Sequence, residues 1–309
     1  MPPRKENVSS PDYPQLGKTL LEISGNGGAS KPSPGLYLVA TPIGHLGDIS
    51  LRALTVLAHA DAIACEDTRT SGVLLQAFGI KKPTFSYHDH NADARRPEIL
   101  KRLAEGEVIA LISDAGMPAI ADPGFKLVRD CRDAGFPVTV IPGANAAITA
   151  LASSGLPTDQ FAFAGFLPPK SAARKKAAAV FKQSQATLVF YESPQRLAAS
   201  LADLAETLGA SRPAAVAREL TKFYEEIRRG TLGELAKHYA TNEAKGEIVI
   251  LVAKDENAQP ETFDIDALLS ERLKHLSVRD AVAEVSEMTG NSKKDVYARA
   301  LKLSESKKK

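Results

Sequence analysis

The chain has 309 residues, 44% hydrophobic and 25% charged, with 39 Lys and Arg against 37 Asp and Glu. That length supports one large core or two, and near-balanced charge excludes a polyanion partner recognised through overall charge, so any nucleic-acid surface must be local. No apolar run reaches the roughly 18 residues of a membrane span, and the N-terminus lacks the pattern of an export signal, which predicts a cytoplasmic protein without a membrane partner. The two cysteines, Cys65 and Cys131, sit in apolar segments without C-x-x-C or zinc spacing and are predicted to be buried free thiols.

Residues 1–34 hold Pro2, Pro3, Pro11, Pro14, Pro32 and Pro34 among Ser, Gly and Lys. They offer too little apolar surface to offset ordering entropy and are predicted to form a disordered arm. Predicted strands at 36–40, 61–65, 84–87, 108–112 and 137–141 then alternate with helices at 49–59, 70–78, 93–105, 122–134 and 145–154. This βα alternation predicts an α/β domain over 35–156 with a mainly parallel sheet covered on both faces. Gly155-Leu-Pro157 breaks the pattern, and strands at 161–166, 187–191, 213–217, 222–228 and 247–252 follow. The later ones are so closely spaced, with helix-length material only at Leu232 to Tyr239, that a second α/β domain over 157–254 with a mixed sheet is expected. A polar stretch through Asn257, Gln259 and Pro260 leads to a helical tail, 262–305. There Val278 to Met288 and Lys293 to Leu303, separated by Thr289-Gly-Asn-Ser292, have the outline of a helix-turn-helix.

Three predicted strands end in Gly/Pro loops: Thr41-Pro42-Ile-Gly44-His-Leu-Gly-Asp48, Ser113-Asp114-Ala-Gly116-Met117-Pro118, and Pro142-Gly143-Ala-Asn145. In an open α/β sheet, ligands lie beyond the carboxyl ends of strands, and small residues there let backbone atoms approach the ligand. None of the loops is a G-x-G-x-x-G or a phosphate-binding P-loop, so a different nucleotide-like cofactor is implied. Asp114 suits a ribose or amino group, and Asn145-Ala146 opens a helix against which a ligand can lie. Each segment also reads as a plain βα connection, with Asp48, Ser50 and Asp122 as helix caps. Two polar clusters, Glu66-Asp67-Thr-Arg69 and His88-Asp89-His90-Asn91, follow strands of the same sheet and should face the same crevice. The His-x-His pair lacks further ligands at metal-site spacing, so no metal is expected; substrate positioning by Glu66, Arg69, His88 and Asp89 is the preferred reading. Arg218, Glu219 and Lys222 follow a later strand, where a surface ion pair is the plain alternative. Lys170, Arg174, Lys175, Lys176 and Lys182 lie in an acid-free run that suits either a solvated face or phosphate contacts.

Taken in order, Thr41 to Ile49, Ala64 to Arg69, His88 to Asn91, Ser113 to Gly124, Pro142 to Ala146, Gly165 to Pro168, Phe190 to Ser193, Ala217 to Lys222 and Lys245 to Glu247 resemble the motifs of the tetrapyrrole methylase superfamily, specifically its small-subunit ribosomal RNA methyltransferase I family. His45, Met117 and Ala144 depart from that pattern, which has Asn, Thr and Pro. The resemblance implies two α/β domains with S-adenosyl-L-methionine in the interdomain cleft, a homodimer, and methylation of the ribose 2′-hydroxyl of a cytidine in the decoding region of 16S ribosomal RNA. It further implies cofactor contacts from Pro42, Gly44, Ser113, Asp114, Gly116, Met117, Gly143, Asn145, Ala146, Tyr191 and Gly246. Asp67, Arg69, Asp89 and the basic run at Lys170, Arg174, Lys175 and Lys176 are the expected substrate contacts.

Such a reaction needs the hydroxyl held in line with the methyl donor and an outlet for its proton. Glu219, Lys222, Arg218, His88 and Glu66 are the candidate catalytic groups. A small-molecule tetrapyrrole methyltransferase and a non-catalytic RNA-binding protein are the competing readings. The E-D-T-R and A-R-E-L-T-K clusters with the basic helical tail weigh against the first, and the intact Asp114, Gly116 and Gly143 against the second.

Overall fold

A computed structural model describes residues 12–15, 19, 32–255, 264–289 and 291–306. Most of the predicted arm, the first residues of the predicted tail and Gly290 lie outside these residues. The chain divides into two compact units, 1–255 and 256–309.

The first unit carries two five-stranded sheets. In the first, β1 (Gly35–Val39), β2 (Ala62–Cys65), β3 (Thr84–Ser86), β4 (Val108–Ile112) and β5 (Val138–Ile141) run in the order β3-β2-β4-β1-β5. All neighbours are parallel, with Leu36 opposite both Ile109 and Val138. Strands β2 and β4 are buried throughout because helices cover both faces. Val39, Ile63, Cys65 and Ala110 pack toward α1 (Leu51–His59) and α2 (Thr68–Ala77). Leu38, Ala64, Ile109 and Leu111 pack toward α3 (Ala92–Ala104) and α4 (Phe125–Asp133). Since α1 follows β1 and α4 follows the adjacent β4, the two loops leave for opposite faces and open a crevice at the strand ends. Within the predicted arm, Tyr13 packs edge to face on Phe78, ring centroids 5.7 Å apart. Cys65 and Cys131 are buried free thiols, Cys131 pushed up to about 11 by burial.

The second sheet consists of β6 (Phe161–Phe166), β7 (Thr187–Glu192), β8 (Pro213–Arg218), β9 (Glu226–Thr231) and β10 (Ile248–Val252), in the order β6-β7-β10-β8-β9. Only β6 and β7 are parallel, so the sheet is mixed. Strict alternation divides its side chains. Leu188, Phe190, Val216 and Ile250 face a core built with α6 (Ser171–Ala179), α7 (Leu197–Leu208) and α8 (Leu232–Thr241). Val189, Ala215, Ala217, Val249 and Leu251 face α5 (Ala146–Ser154), the helix that follows the last strand of the first sheet.

Two predicted boundaries differ in an instructive way. The strand expected at 222–228 begins at Glu226, because Glu219 and Thr221 adopt left-handed backbone angles (φ 52° and 64°) and fold 219–225 into a turn. The helix expected from residue 122 begins at Phe125 and is capped by Gly124, which leaves the Asp122 carboxylate free of any capping role.

The second unit contains α9 (Ile265–Arg272), α10 (Val278–Thr289) and α11 (Lys293–Ser306) around Leu269, Ala281, Val285, Val296 and Ala300. The Ser277 and Ser292 hydroxyls accept from Asp280 and Asp295 N–H at 3.2 Å, capping the last two helices. Among the described residues no helix is long and apolar enough to cross a membrane.

Candidate active site

Two loops of the first sheet are joined by backbone hydrogen bonds, and a third packs against them. Thr41 and Gly116 exchange N–H to O bonds of 2.9 and 3.1 Å, which ties the loop after β1 to the loop after β4. Gly116 has φ +84° and an added Cβ would lie 3.3 Å from Ile43. Gly143 backs onto Ala40, where a Cβ would sit 2.8 Å from the Ala40 methyl, so the third loop packs as closely as glycine allows. Asn145 accepts from Ile148 N–H at 3.1 Å and caps α5.

Across from these loops stands the Glu219–Glu225 turn. Its Thr221 hydroxyl accepts from His45 N–H at 3.1 Å, and a Cβ on Gly44 would lie 2.7 Å from that hydroxyl oxygen. Lys222 bonds the carboxylates of Glu219 (2.9 Å) and Glu247 (3.2 Å). Glu219 also accepts from Glu247 N–H at 3.0 Å beside Gly246. The Lys222 hydrogen bond is the main cause of the lowered Glu219 pKa; burial opposes the rise in Lys222, and its two carboxylate partners outweigh it.

Between the loops and the turn lies a cleft of about 350 Å³, within the ordinary range of ligand sites. Glu66, Asp114, Gly116, Met117, Asn145, Ala146 and Tyr191, all expected from the sequence, line it. Pro42, Gly44, Ser113, Gly143 and Gly246 are not lining residues. Gly44, Gly143 and Gly246 sit behind the walls at close backbone approaches, and the Ser113 hydroxyl donates to its own loop, to the Ala115 and Gly116 carbonyls. Among the catalytic candidates only Glu66 lines the cleft; Glu219 and Lys222 form the latch beside it, while Leu220 and Glu247 supply the wall. Arg218 is turned away, bonding Glu226 across the β8–β9 pair at 3.0 Å. His88 stands at the margin. Its N–H donates to Asn91 Oδ1 at 2.9 Å, and its Nδ1 is buried without a hydrogen-bond partner.

The cleft concentrates acid. Burial, then the Asp114 charge, raises Glu66 above the usual carboxylate range, and burial likewise raises Asp114. Asp122 is pushed up to about 6, by burial first and by Glu66 next. Among the described residues no group of three His, Cys, Asp or Glu is placed to hold a metal ion. The apolar wall comes from Ile43, Met117, Ile120, Phe166 and Tyr191. Tyr191 meets both Phe163 and Phe166 edge to face, at 4.9 and 5.6 Å. The β6 register shifts between Phe163 and Phe166, and this bulge brings Phe166 to the cleft.

Four predicted substrate contacts are engaged elsewhere. Asp67 caps α2, accepting from Arg69 N–H at 2.8 Å, and pairs with the Arg69 guanidinium at 2.6 Å; that hydrogen bonding lowers the Asp67 carboxyl to about 2. Asp67 does touch the cleft through its backbone, donating to Asp114 at 3.2 Å. Arg174 is not the phosphate contact expected from the sequence. It is 3% exposed and its guanidinium bonds Asp203 at 2.7 Å, so it offers nothing to a phosphate. Lys175 pairs with Glu206 at 2.6 Å, whereas Lys170, Lys176 and Asp89 are exposed.

Asp122, Ile120, Phe166, Leu220 and Glu247 are lining residues that the sequence reading did not select. The backbone marks two of these segments: Ala119, Ala121, Glu219 and Thr221 are the non-glycine residues with positive φ among the described residues, and all four flank the cleft. Such strain concentrates where a site is held in a defined shape. His45, the first departure from the motif, uses Nδ1 to accept from Gly47 N–H at 3.1 Å and so caps the following turn.

Residues 35–236 match the family Tetrapyrrole (Corrin/Porphyrin) Methylases, and residues 259–304 the RsmI C-terminal HTH domain. A relative from Mesorhizobium japonicum named ribosomal RNA small subunit methyltransferase I is 50% identical over 271 residues, covering 87% of this chain and 92% of its own. The protein of that name from Escherichia coli O157:H7 is 47% identical over 270 residues, covering 86% and 94%. Among solved structures, uroporphyrin-III C-methyl transferase from Thermus thermophilus complexed with S-adenyl homocysteine superposes with a TM-score of 0.51 at 18% identity, over 71% of this chain and 97% of that one. Cobalt precorrin-4 methyltransferase gives 0.55 at 16%, over 71% and 94%. By motif, architecture and sequence, the chain belongs to the tetrapyrrole methylases and, among them, to the ribosomal RNA small subunit methyltransferase I family.

Proposed function

We propose that the chain transfers a methyl group from S-adenosyl-L-methionine to the ribose 2′-hydroxyl of a cytidine in the decoding region of 16S ribosomal RNA, acting in the cytoplasm as a homodimer on the small ribosomal subunit. The observation that carries this reading is the 50% identity, over 87% of the chain, to a relative bearing the ribosomal RNA methyltransferase name. The cleft fits the cofactor. Glycine at Gly116 opens the backbone to an adenosyl group, the apolar wall suits its base, and the surrounding carboxylates suit a cationic sulfonium and ammonium. When bound, the cofactor supplies a methyl group already activated by its positive charge.

The chain's own residues then have two tasks. The first is alignment, to which the tied loops and the latched 219–225 turn contribute by fixing both walls. The second is the hydroxyl proton. Of the carboxylates that line the cleft, Asp122, held at about 6, is best matched to accepting it near neutral pH, with Glu66 beside it.

Labelled methyl transfer to small subunits lacking the modification, followed by nucleoside mass spectrometry, tests the reading. Label in a 2′-O-methylated cytidine is expected. Transfer to a tetrapyrrole in its place would sink it. Gly116→Val is expected to weaken S-adenosylhomocysteine binding roughly 5- to 150-fold in calorimetry, since overpacking a fitted site costs about 1–3 kcal/mol. The left-handed backbone adds a folding penalty of about 1–2 kcal/mol that a melting curve would register separately.

A further inference from the structure

We infer that Phe223 and Tyr224 form a stacking platform for an unpaired base of the RNA substrate; this rests on the function proposed above. Phe223 is 92% exposed and Tyr224 67%, and their rings meet edge to face at 4.9 Å, leaving ring faces open to solvent. Single exposed apolar residues are ordinary. Two adjacent aromatics on a turn held from three sides are not.

Leu220 is buried and lines the cleft, the Thr221 hydroxyl accepts from His45 N–H, and Lys222 bonds both Glu219 and Glu247. Thr221 N–H also donates to Glu225 at 2.6 Å, closing the turn from its far end. The rings therefore stand on a fixed mount, three and four residues beyond a wall of the cleft. Little entropy remains to be lost when a flat partner settles on them.

The chemistry favours a base over a phosphate or a second copy of the chain. From Arg218 to Arg229 there are four cations, Arg218, Lys222, Arg228 and Arg229, and three acids, Glu219, Glu225 and Glu226. Lys222, Arg218 and Arg228 are already paired with carboxylates, so the turn has little to offer a phosphate. Two aromatic side chains bury about 150–250 Å² each, well short of the roughly 800 Å² per partner of a stable protein interface. Splayed, unstacked bases seated on aromatic rings are the usual way single-stranded RNA is recognised.

The test uses the full chain, small ribosomal subunits lacking the modification, and three readouts: steady-state methyl transfer, S-adenosylhomocysteine affinity and sedimentation. For the Phe223→Ala/Tyr224→Ala variant, KM for the subunit is expected to rise roughly 5- to 150-fold, the range of a lost base–aromatic stack. Cofactor affinity and the salt dependence of binding should stay at the unaltered chain's values, because no phosphate contact is removed. Phe223→Tyr/Tyr224→Phe keeps both rings and should restore KM. An unchanged KM in the double alanine variant overturns the inference. So does dissociation of the protein in sedimentation, which would assign the rings to a second copy. Failure of the unaltered chain to methylate the subunit overturns the proposed function and this inference with it, and is seen before any variant is made.

Discussion

Asp122→Asn is expected to lower the rate of methyl transfer by about 10²- to 10⁴-fold, the usual contribution of a positioned proton acceptor. The change is nearly isosteric, so cofactor affinity should move far less than kcat. In the unaltered protein the rate should rise with pH through about 6, as Asp122 loses its proton, and level off above it. The same carboxyl has a second signature in stability. Its folded pKa, about 6, lies above its ordinary value of 3.8, so the folded state binds more protons between those limits and stability falls as pH rises through that window. Asp122→Asn should therefore melt higher than the unaltered chain above pH 6, with the advantage vanishing below about pH 4. A variant with normal kcat and no such pH-dependent melting shift would remove Asp122 from the proton's path.

Arg174→Ala is expected to destabilise the fold by about 3 kcal/mol, the low end of the range for stripping one partner from a buried ion pair. In a unit of this size that corresponds to a melting temperature roughly 6–12 °C lower. Asp203 would keep its bond from the Ser171 hydroxyl at 2.9 Å and its contact with Lys175 at 3.7 Å, which holds the loss toward that lower value. Replacing both partners, Arg174→Met with Asp203→Leu, removes the stranded charge and should recover most of the stability. Neutralising the exposed Lys170 and Lys176 should act in the opposite sense, leaving the melting temperature within about 1 °C while flattening the salt dependence of RNA binding. A steeper salt slope change in Arg174→Ala than in the lysine variant would contradict this division of labour.

Arg174 also illustrates what could be read from the sequence. Its run contains no acid, and the carboxylate it bonds stands 29 residues away on another helix. Local charge patterning carries no trace of such a pairing. The βα alternation of the first sheet was legible because its strands, apart from the short polar-edged Thr84–Ser86, are apolar runs bounded by Gly, Pro or a capping residue. The mixed second sheet was legible in class but not at 222–225, where Phe223 and Tyr224 have strand-like chemistry and the left-handed angles of Glu219 and Thr221 fold the chain into a turn, so that the strand begins only at Glu226. The glycine loops announced the cleft. Asp122 escaped because Asp-Pro-Gly ahead of a helix reads as a cap, a role that Gly124 takes. Phe166 escaped because a bulge, invisible to period-two reasoning, re-aims it.

The packing of α5 determines where this chain can be severed. Although it follows the last strand of the first sheet, its Ala147, Ala150 and Leu151 cover Val189, Ala215, Val249 and Leu251 of the second. A fragment starting at residue 157 would leave that face bare, and a continuous apolar surface of this kind drives self-association. Moving the start to residue 144, so that the helix travels with the sheet it shields, should turn an aggregating fragment into a soluble one.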